Sequence, residues 1–382
     1  MALRSIDLIA TGPPSPDPYH PTAPAWALAG SLGARGHRVR VLHPELGEAV
    51  APPPGVVAVP LPFPFRRPGA ALEGADWARA AALHFLPDTD LVIRDPSGLG
   101  SLGLGRGPRR ETALAAFVRG IELSRFDRAH AGRSVGGMVG RVDAWRERRS
   151  IRRLERAALA EADRLFVDHP TVRETLVREY GLDEDRLSSS VSPVALSPSG
   201  VERARARQDL GIPLDVPVVA ALAASGDPSF AGVDRVREAF RRIRPIFPGV
   251  RLIVAGATCP TDPGTVADPA REGATFDRAL AASDVALFAP RVPGFDPGVV
   301  LAQRAGVASI VLPEVELPLD PSGTLRRVES DDPGDLASAL AELVADPELR
   351  RSLAERARTY VALYSPNAVA AEVEKVGRRG TA

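Results

Sequence analysis

A single cysteine, Cys259, and a single lysine, Lys375, stand in a chain of 382 residues. One cysteine rules out an intramolecular disulfide and any cysteine-rich metal centre, and it points to a reducing compartment. The scarcity of lysine means that nearly every basic group is a guanidinium, so a site that needs a flexible ammonium has only Lys375 to draw on. Formal net charge is zero, which removes the uniform basic field of a nucleic-acid binder and leaves local patches only. No apolar run approaches the roughly 20 residues of a membrane span. The apolar stretch within Met1–Ala10 is too short for a signal peptide. These absences together predict a soluble, cytoplasmic protein without a nucleic-acid partner.

What the chain does have is apolar residues, 45% of the total, arranged as alternating strands and helices. Ile6 to Ala10 reads as a strand that ends at Gly12-Pro13-Pro14. Ala25 to Arg35 carries apolar positions at helical spacing and is closed by Gly36-His37. Val39 to Leu42 is the next strand, completing a βαβ unit. The alternation continues through Val56–Val59, Trp77–Phe85, Asp90–Ile93, an apolar run at Ala113–Val118, a long helix over Val139–Ala162, the strand Arg164–Asp168 and the helix Thr171–Glu179. Ser188 to Gly200 is rich in Ser and Pro, lacks a helical period and reads as a linker.

The pattern then restarts. Strands are expected at Val216–Ala223, Arg251–Ala255, Val285–Phe288 and Ala308–Leu312. Helices are expected at Val233–Phe247, Phe276–Ala282, Pro297–Ala305, Pro333–Ala345, Pro347–Tyr364 and Pro366–Val376. Two βα series imply two α/β domains, with ligands at the carboxyl ends of the parallel strands and chemistry in a cleft between the domains.

Three stretches carry a family resemblance. ALAGSLGARGHRVRVL (Ala27–Leu42), AASDVALFAPRVPGFDPGVVLAQRAG (Ala281–Gly306) and the tail DPELRRSLAERARTYVALYSPNAVAAEVEKV resemble, in order and spacing, the family 4 glycosyltransferases of GT-B fold. The resemblance implies two Rossmann-like domains facing each other across a cleft: residues 1–190 on the acceptor side, 191–363 on the nucleotide-sugar side, and a final helix over 364–382 returning to the first domain. It also implies a metal-independent, retaining transfer of sugar from a nucleotide sugar, with no cofactor. Donor sugar, acceptor and oligomeric state are not implied.

The same comparison exposes departures. The glutamate before Gly-Phe is Pro293 here, and the glutamate that meets the ribose is Leu301. The Arg and Lys that grip the diphosphate fall on Ala224 and Ala231. A Gly-Gly loop is replaced by His20-Pro21, and a histidine before glycine by Arg119. The leaving diphosphate still needs positive charge. Losing one such stabiliser typically costs about 2.7–4 kcal/mol of transition-state energy. The candidate replacements are Arg119, at a strand end, and Arg291, beside the Gly-Phe loop; either is equally readable as a salt-bridged surface arginine. Gly294, Phe295 and Gly298 would let a phosphate approach a helix N-terminus. Asp296 would either meet a sugar hydroxyl or cap that helix with Pro297 at its first position. His20 is a base or sugar contact, or a solvated loop residue.

Arg141, Arg146, Arg148, Arg149, Arg152, Arg153 and Arg156 crowd one helix. They suit a peripheral contact with an anionic membrane, or a solvated face partnered by Glu147 and Glu155. Two function classes therefore stay open. One is a glycosyltransferase with a diverged donor site; the other is a non-catalytic relative that binds a ligand or protein partner. A hydrolase of epimerase type would need a carboxylate pair that is not evident.

Overall fold

The computed structural model describes residues 4–15, 22–45, 51–62, 77–94, 109, 111–118, 123, 137–167, 170–189, 193, 201–223, 231–260, 262–270, 273–291, 296–315, 317 and 323–376. The chain divides into two compact units. One holds residues 1–16, 22–193 and 366–382; the other holds 17–21 and 194–365.

In the N-terminal unit seven strands form one parallel sheet. They are β1 (Ser5–Ile9), β2 (Arg38–Pro44), β3 (Val56–Leu61), β4 (Leu91–Arg94), β5 (Ala113–Val118), β6 (Arg164–Val167) and β7 (Leu187–Ser189), in the order β3-β2-β1-β4-β5-β6-β7. Every residue of β1, β4 and β5 is buried. That is why these strands read as continuous apolar runs, as expected when helices cover both faces of a parallel sheet. The helices are α1 (Ala23–Ala34), α2 (Gly137–Glu161) and α3 (Pro170–Arg178), and residues 77–82 are also helical. Ile9, Leu42, Val92, Leu114, Leu159 and Leu165 anchor one face of the core.

The C-terminal unit repeats the plan with β8 (Val218–Leu222), β9 (Arg251–Ala255), β10 (Thr265–Asp268), β11 (Val285–Phe288), β12 (Ala308–Val311) and β13 (Arg326–Arg327). Their order is β10-β9-β8-β11-β12-β13, again parallel. Its helices are α4 (Arg203–Asp209), α5 (Val233–Ile243), α6 (Gly273–Ala282), α7 (Pro297–Arg304), α8 (Pro333–Ala345) and α9 (Pro347–Val361). Phe240, Leu252, Leu287, Ile310, Leu340 and Leu343 lie at its centre.

Each sheet has one point where the strand order reverses, between β1 and β4 in one unit and between β8 and β11 in the other. Ligands of open parallel sheets bind outside the carboxyl ends of the strands at such points.

The last helix, α10 (Pro366–Val373), packs on α1 of the N-terminal unit. Just beyond it Glu374 accepts from Arg35 Nε at 2.7 Å and meets His37 Nε2 at 2.8 Å, while Arg4 donates to the Val376 carbonyl at 2.7 Å. The two Arg35 bonds and the histidine pull the Glu374 carboxyl down to about 2 against the opposing effect of burial.

Several short elements escape the sequence reading. The run Ala113–Val118 is β5, an interior strand of the sheet, not merely apolar chain. Strand β7 begins where the linker was expected. α4, β10 and β13 carry too few apolar positions to show a period. Among the described residues, the helix expected over Trp77–Phe85 ends at 82.

Candidate functional site

In the C-terminal unit the chain leaves β8 at Ala223 and returns to the described structure at Ala231-Gly232, ahead of α5. Gly232 has φ +64°, and a Cβ there would stand 1.7 Å from the Ala289 carbonyl oxygen, just past β11. Only glycine lets the backbone turn left-handed and press against that carbonyl. The two ends of the switch point are thus held together by a backbone contact with no room for a side chain.

Charge gathers around this contact. Arg235, in the first turn of α5, donates to the Pro290 carbonyl at 3.2 Å and to Glu314 at 3.0 Å, and pairs with Asp331 at 3.3 Å. Arg291 forms an ion pair with Asp234. Arg235 is mostly buried, its side chain 18% exposed; the Arg291–Asp234 pair is in solvent, at 44% and 60%. The two arginines that could meet a diphosphate are therefore already balanced by carboxylates of the same unit. Ala231, where the resemblance would place a cation, is half-buried against the core.

Asp296 is the N-cap of α7. Its Oδ1 accepts from Gly298 N at 2.8 Å, and Pro297 opens the helix. Burial pushes the carboxyl up to about 6, and the Gly298 N–H only partly opposes that. Gly298 lies under Phe288, where a Cβ would come within 2.9 Å of the ring. Leu301 is buried on the same helix at 6% exposure. Gln303 donates to the Thr324 carbonyl at 3.3 Å, while its Oε1 is buried without a partner among the described residues.

At the carboxyl ends of β1 and β2 in the N-terminal unit, two indoles pin the chain. Trp26 Nε1 donates to the Gly12 carbonyl at 3.1 Å and Trp77 Nε1 to the Ala10 carbonyl at 2.9 Å. His43, near the end of β2, meets Trp26 edge-on at 5.5 Å. Its Nδ1 is 3.0 Å from the Pro44 carbonyl oxygen. A carbonyl only accepts, so Nδ1 carries the proton and Nε2 keeps its lone pair. Burial lowers the pKa of this imidazole and favours the neutral ring.

Sequence reading passed over both His43 and Arg235. The available signals were their places, at a strand's carboxyl end and in the first turn after the β8 loop. His20, Arg119, Gly294 and Phe295, with Ala224 and Pro293, lie outside the described residues, so Asp296, Arg291 and Gly298 are the expected site residues that the structure places. Arg94, at the end of β4, turns away from the strand ends. It donates to the Ala158 carbonyl at 3.1 Å and pairs with Glu161 at 3.3 Å, closing the last turn of α2. Among the described residues no three His, Cys, Asp or Glu side chains gather to hold a metal ion, and no helix is long and apolar enough to cross a membrane.

Residues 25–189 match the family model described as Glycosyltransferase Family 4. No curated protein sequence matches the chain. Solved structures match its whole length at low identity. WaaG, a glycosyltransferase involved in lipopolysaccharide biosynthesis, is 16% identical with a TM-score of 0.70, over 97% of this chain and 100% of its own. Sucrose-phosphate synthase from Thermosynechococcus elongatus is 17% identical with a TM-score of 0.72, over 97% and 98%. Anabaena HepE, solved in complex with UDP-glucose, is 12% identical with a TM-score of 0.64, over 97% and 98%. The fold is GT-B.

Proposed function

We propose that this glycosyltransferase-like chain, GT-B in fold and family 4-like over residues 25–189, takes a nucleotide sugar at the β8/β11 switch point and transfers the sugar to an acceptor held by its N-terminal unit. The observation that supports this reading is that Arg291 follows the carboxyl end of β11, a strand of that switch point, and that α7 is the next helix of the chain. A helix N-terminus and a cation are what a departing diphosphate needs. A nucleotide sugar is favoured over other phosphates because a structure of the same fold, HepE, holds UDP-glucose.

Arg291 must exchange Asp234 for a phosphate oxygen. A solvent-exposed ion pair is worth only about 0–1 kcal/mol, so the exchange is cheap beside the roughly 2.7–4 kcal/mol that one oxyanion stabiliser supplies. Arg235 is held by three groups and stays structural. Arg119 is proposed as the second cation. Asp296 commits Oδ1 to the helix cap, which leaves its other oxygen for a sugar hydroxyl. His43, in the N-terminal unit, and His20 are the candidate bases. The reading also takes the Arg-rich helix α2 as a peripheral membrane contact.

Calorimetric titration with UDP-glucose and a panel of other nucleotide sugars tests the reading. Asp234→Asn should tighten binding by freeing Arg291, and Arg291→Ala should weaken both binding and transfer. Unchanged transfer in Arg291→Ala removes Arg291 from the donor site.

A second reading, a non-catalytic scaffold, is favoured by one observation: the position implied for a ribose contact is the buried Leu301. An unsatisfied ribose hydroxyl costs about 1–3 kcal/mol, which would leave dissociation constants on the order of 1 mM. Micromolar donor binding by the unmodified protein excludes this reading.

A further inference from the structure

Helix α2 has a buried edge and an outward one. Ile151, Ala158 and Leu159 are buried, with Ile151 and Leu159 part of the core of the N-terminal unit. Glu155, readable from sequence as a surface partner for the arginines, turns inward: it is fully buried, and accepts from Tyr180 Oη and, at 3.4 Å, from the Leu123 N–H. On the opposite side the residues fall into one stripe. At 3.6 residues per turn, Arg146, Arg149, Arg152, Arg153 and Arg156 occupy an arc of roughly 120°, and Val142 and Trp145 lie within the same arc.

All of these side chains are exposed, Trp145 at 58% and Val142 at 41%. No carboxylate lies inside the arc. Arg146 reaches Asp143 on the flank at 3.9 Å, and Arg149 lies over the Trp145 ring at 5.5 Å. Arg149, Arg153 and Arg156 have no carboxylate partner among the described residues. In a chain of zero net charge, five guanidiniums on one stripe form a strong local field.

We infer that the outward stripe of α2 is a docking surface for an anionic phospholipid bilayer, with the arginines on the lipid phosphates and Trp145 and Val142 at headgroup depth. A helix that lies on a membrane has this make-up: a cationic face for the headgroups with aromatic and aliphatic side chains beside it. The exposed indole and valine separate this partner from nucleic acid. A phosphate backbone rewards the arginines but gives an exposed Val142 nothing to bury against. The Arg149–Trp145 stack keeps the indole at the charged surface, where tryptophan is enriched at membrane–water boundaries. The inference deepens the peripheral-contact part of the proposed function and is independent of whether sugar is transferred.

Co-sedimentation of the full chain tests it, with vesicles of phosphatidylcholine alone and vesicles that also contain phosphatidylglycerol. Binding should require phosphatidylglycerol and fall as salt rises. The triple substitution Arg149→Gln, Arg153→Gln, Arg156→Gln should lower the partition coefficient by about a hundredfold, at about 1 kcal/mol per arginine. Trp145→Ser should lower it by on the order of tenfold. These sites are exposed, so the circular dichroism of both variants should match that of the parent.

Three results overturn the inference: binding equally well to phosphatidylcholine alone, no loss in the triple variant, or a single-stranded RNA oligonucleotide displacing the protein from vesicles while Trp145→Ser leaves vesicle binding unchanged. Titration of the same protein with UDP-glucose is a separate measurement, so a failed donor site and a failed membrane surface are told apart.

Discussion

Asp296→Asn should stabilise the C-terminal unit above neutral pH and do nothing for it in acid. The carboxyl is buried at 8% exposure, and its Oδ1 accepts from Gly298 N at 2.8 Å. In the folded chain it keeps its proton up to about pH 6, against an ordinary value of 3.8. Between those two values the folded state binds more protons than the unfolded one. Stability therefore falls as pH rises through this window and is flat above it. The gap corresponds to about 3 kcal/mol.

Asparagine caps a helix about as well as aspartate and carries no charge. The variant should equal the parent near pH 4 and exceed it by up to about 3 kcal/mol near pH 8. Asp296→Ala, which loses the cap, should instead cost about 1 kcal/mol in acid. Trp26, Trp77 and Trp145 all belong to the N-terminal unit, so tryptophan fluorescence would not follow the change. Hydrogen exchange of the α7 amides, read by mass spectrometry across this pH range, would. A difference between Asn and Asp that does not change with pH refutes the account of the buried charge.

Other consequences follow from single contacts. Glu374→Gln should loosen α10, because it leaves His37 and Arg35 without their carboxylate. A loss of about 3 kcal/mol should appear as faster proteolysis or exchange of the last helix. In the parent, stability due to Glu374 is full above about pH 4.5 and is lost as pH falls towards 2, since the folded carboxyl titrates at about 2; acid should release the helix first. Gly232→Ala should exceed the roughly 1–2 kcal/mol of left-handed strain, because its Cβ would overlap the Ala289 carbonyl; equal stability in a urea melt would mean that the two loops separate freely. Arg207→Met should cost at least about 1–3 kcal/mol, since Asp284 keeps Arg203 and the Val218 N–H but the carbonyls of Ala282, Pro213, Leu214 and Val216 lose the buried guanidinium that now satisfies them. Thermal unfolding of the C-terminal unit reads that loss.

The sequence by itself determined the class of fold. Strands buried on both faces must be apolar throughout, and each helix between them repeats its apolar residues at a fixed period, so β1, β8, β9, β11 and β12 and their helices were legible as a doubled βα series. The stops were legible for an equally local reason. Gly36, which closes the first helix, takes a positive φ, which glycine does freely. Elements too short to show a period, such as β7, β10 and β13, could not be read. β13 is two residues long and exists only because β12 offers it an edge.

The site was decided by tertiary structure. Asp296 could cap a helix or meet a ligand on sequence grounds alone, and the hydrogen bond to Gly298 shows the cap. Arg291 could be a donor-site cation or a salt-bridged surface arginine on sequence grounds, and Asp234, 57 positions earlier, is its ion-pair partner. Arg235 and His43 stand out only once strand order makes their ends the rim of a switch point. The stripe on α2 follows from helical period, but which of its edges faces water depends on where the core lies, and that brought Glu155 inside and left Trp145 out. Charge balance and burial arise between segments far apart in the chain, and a linear pattern holds the residues without holding the distances.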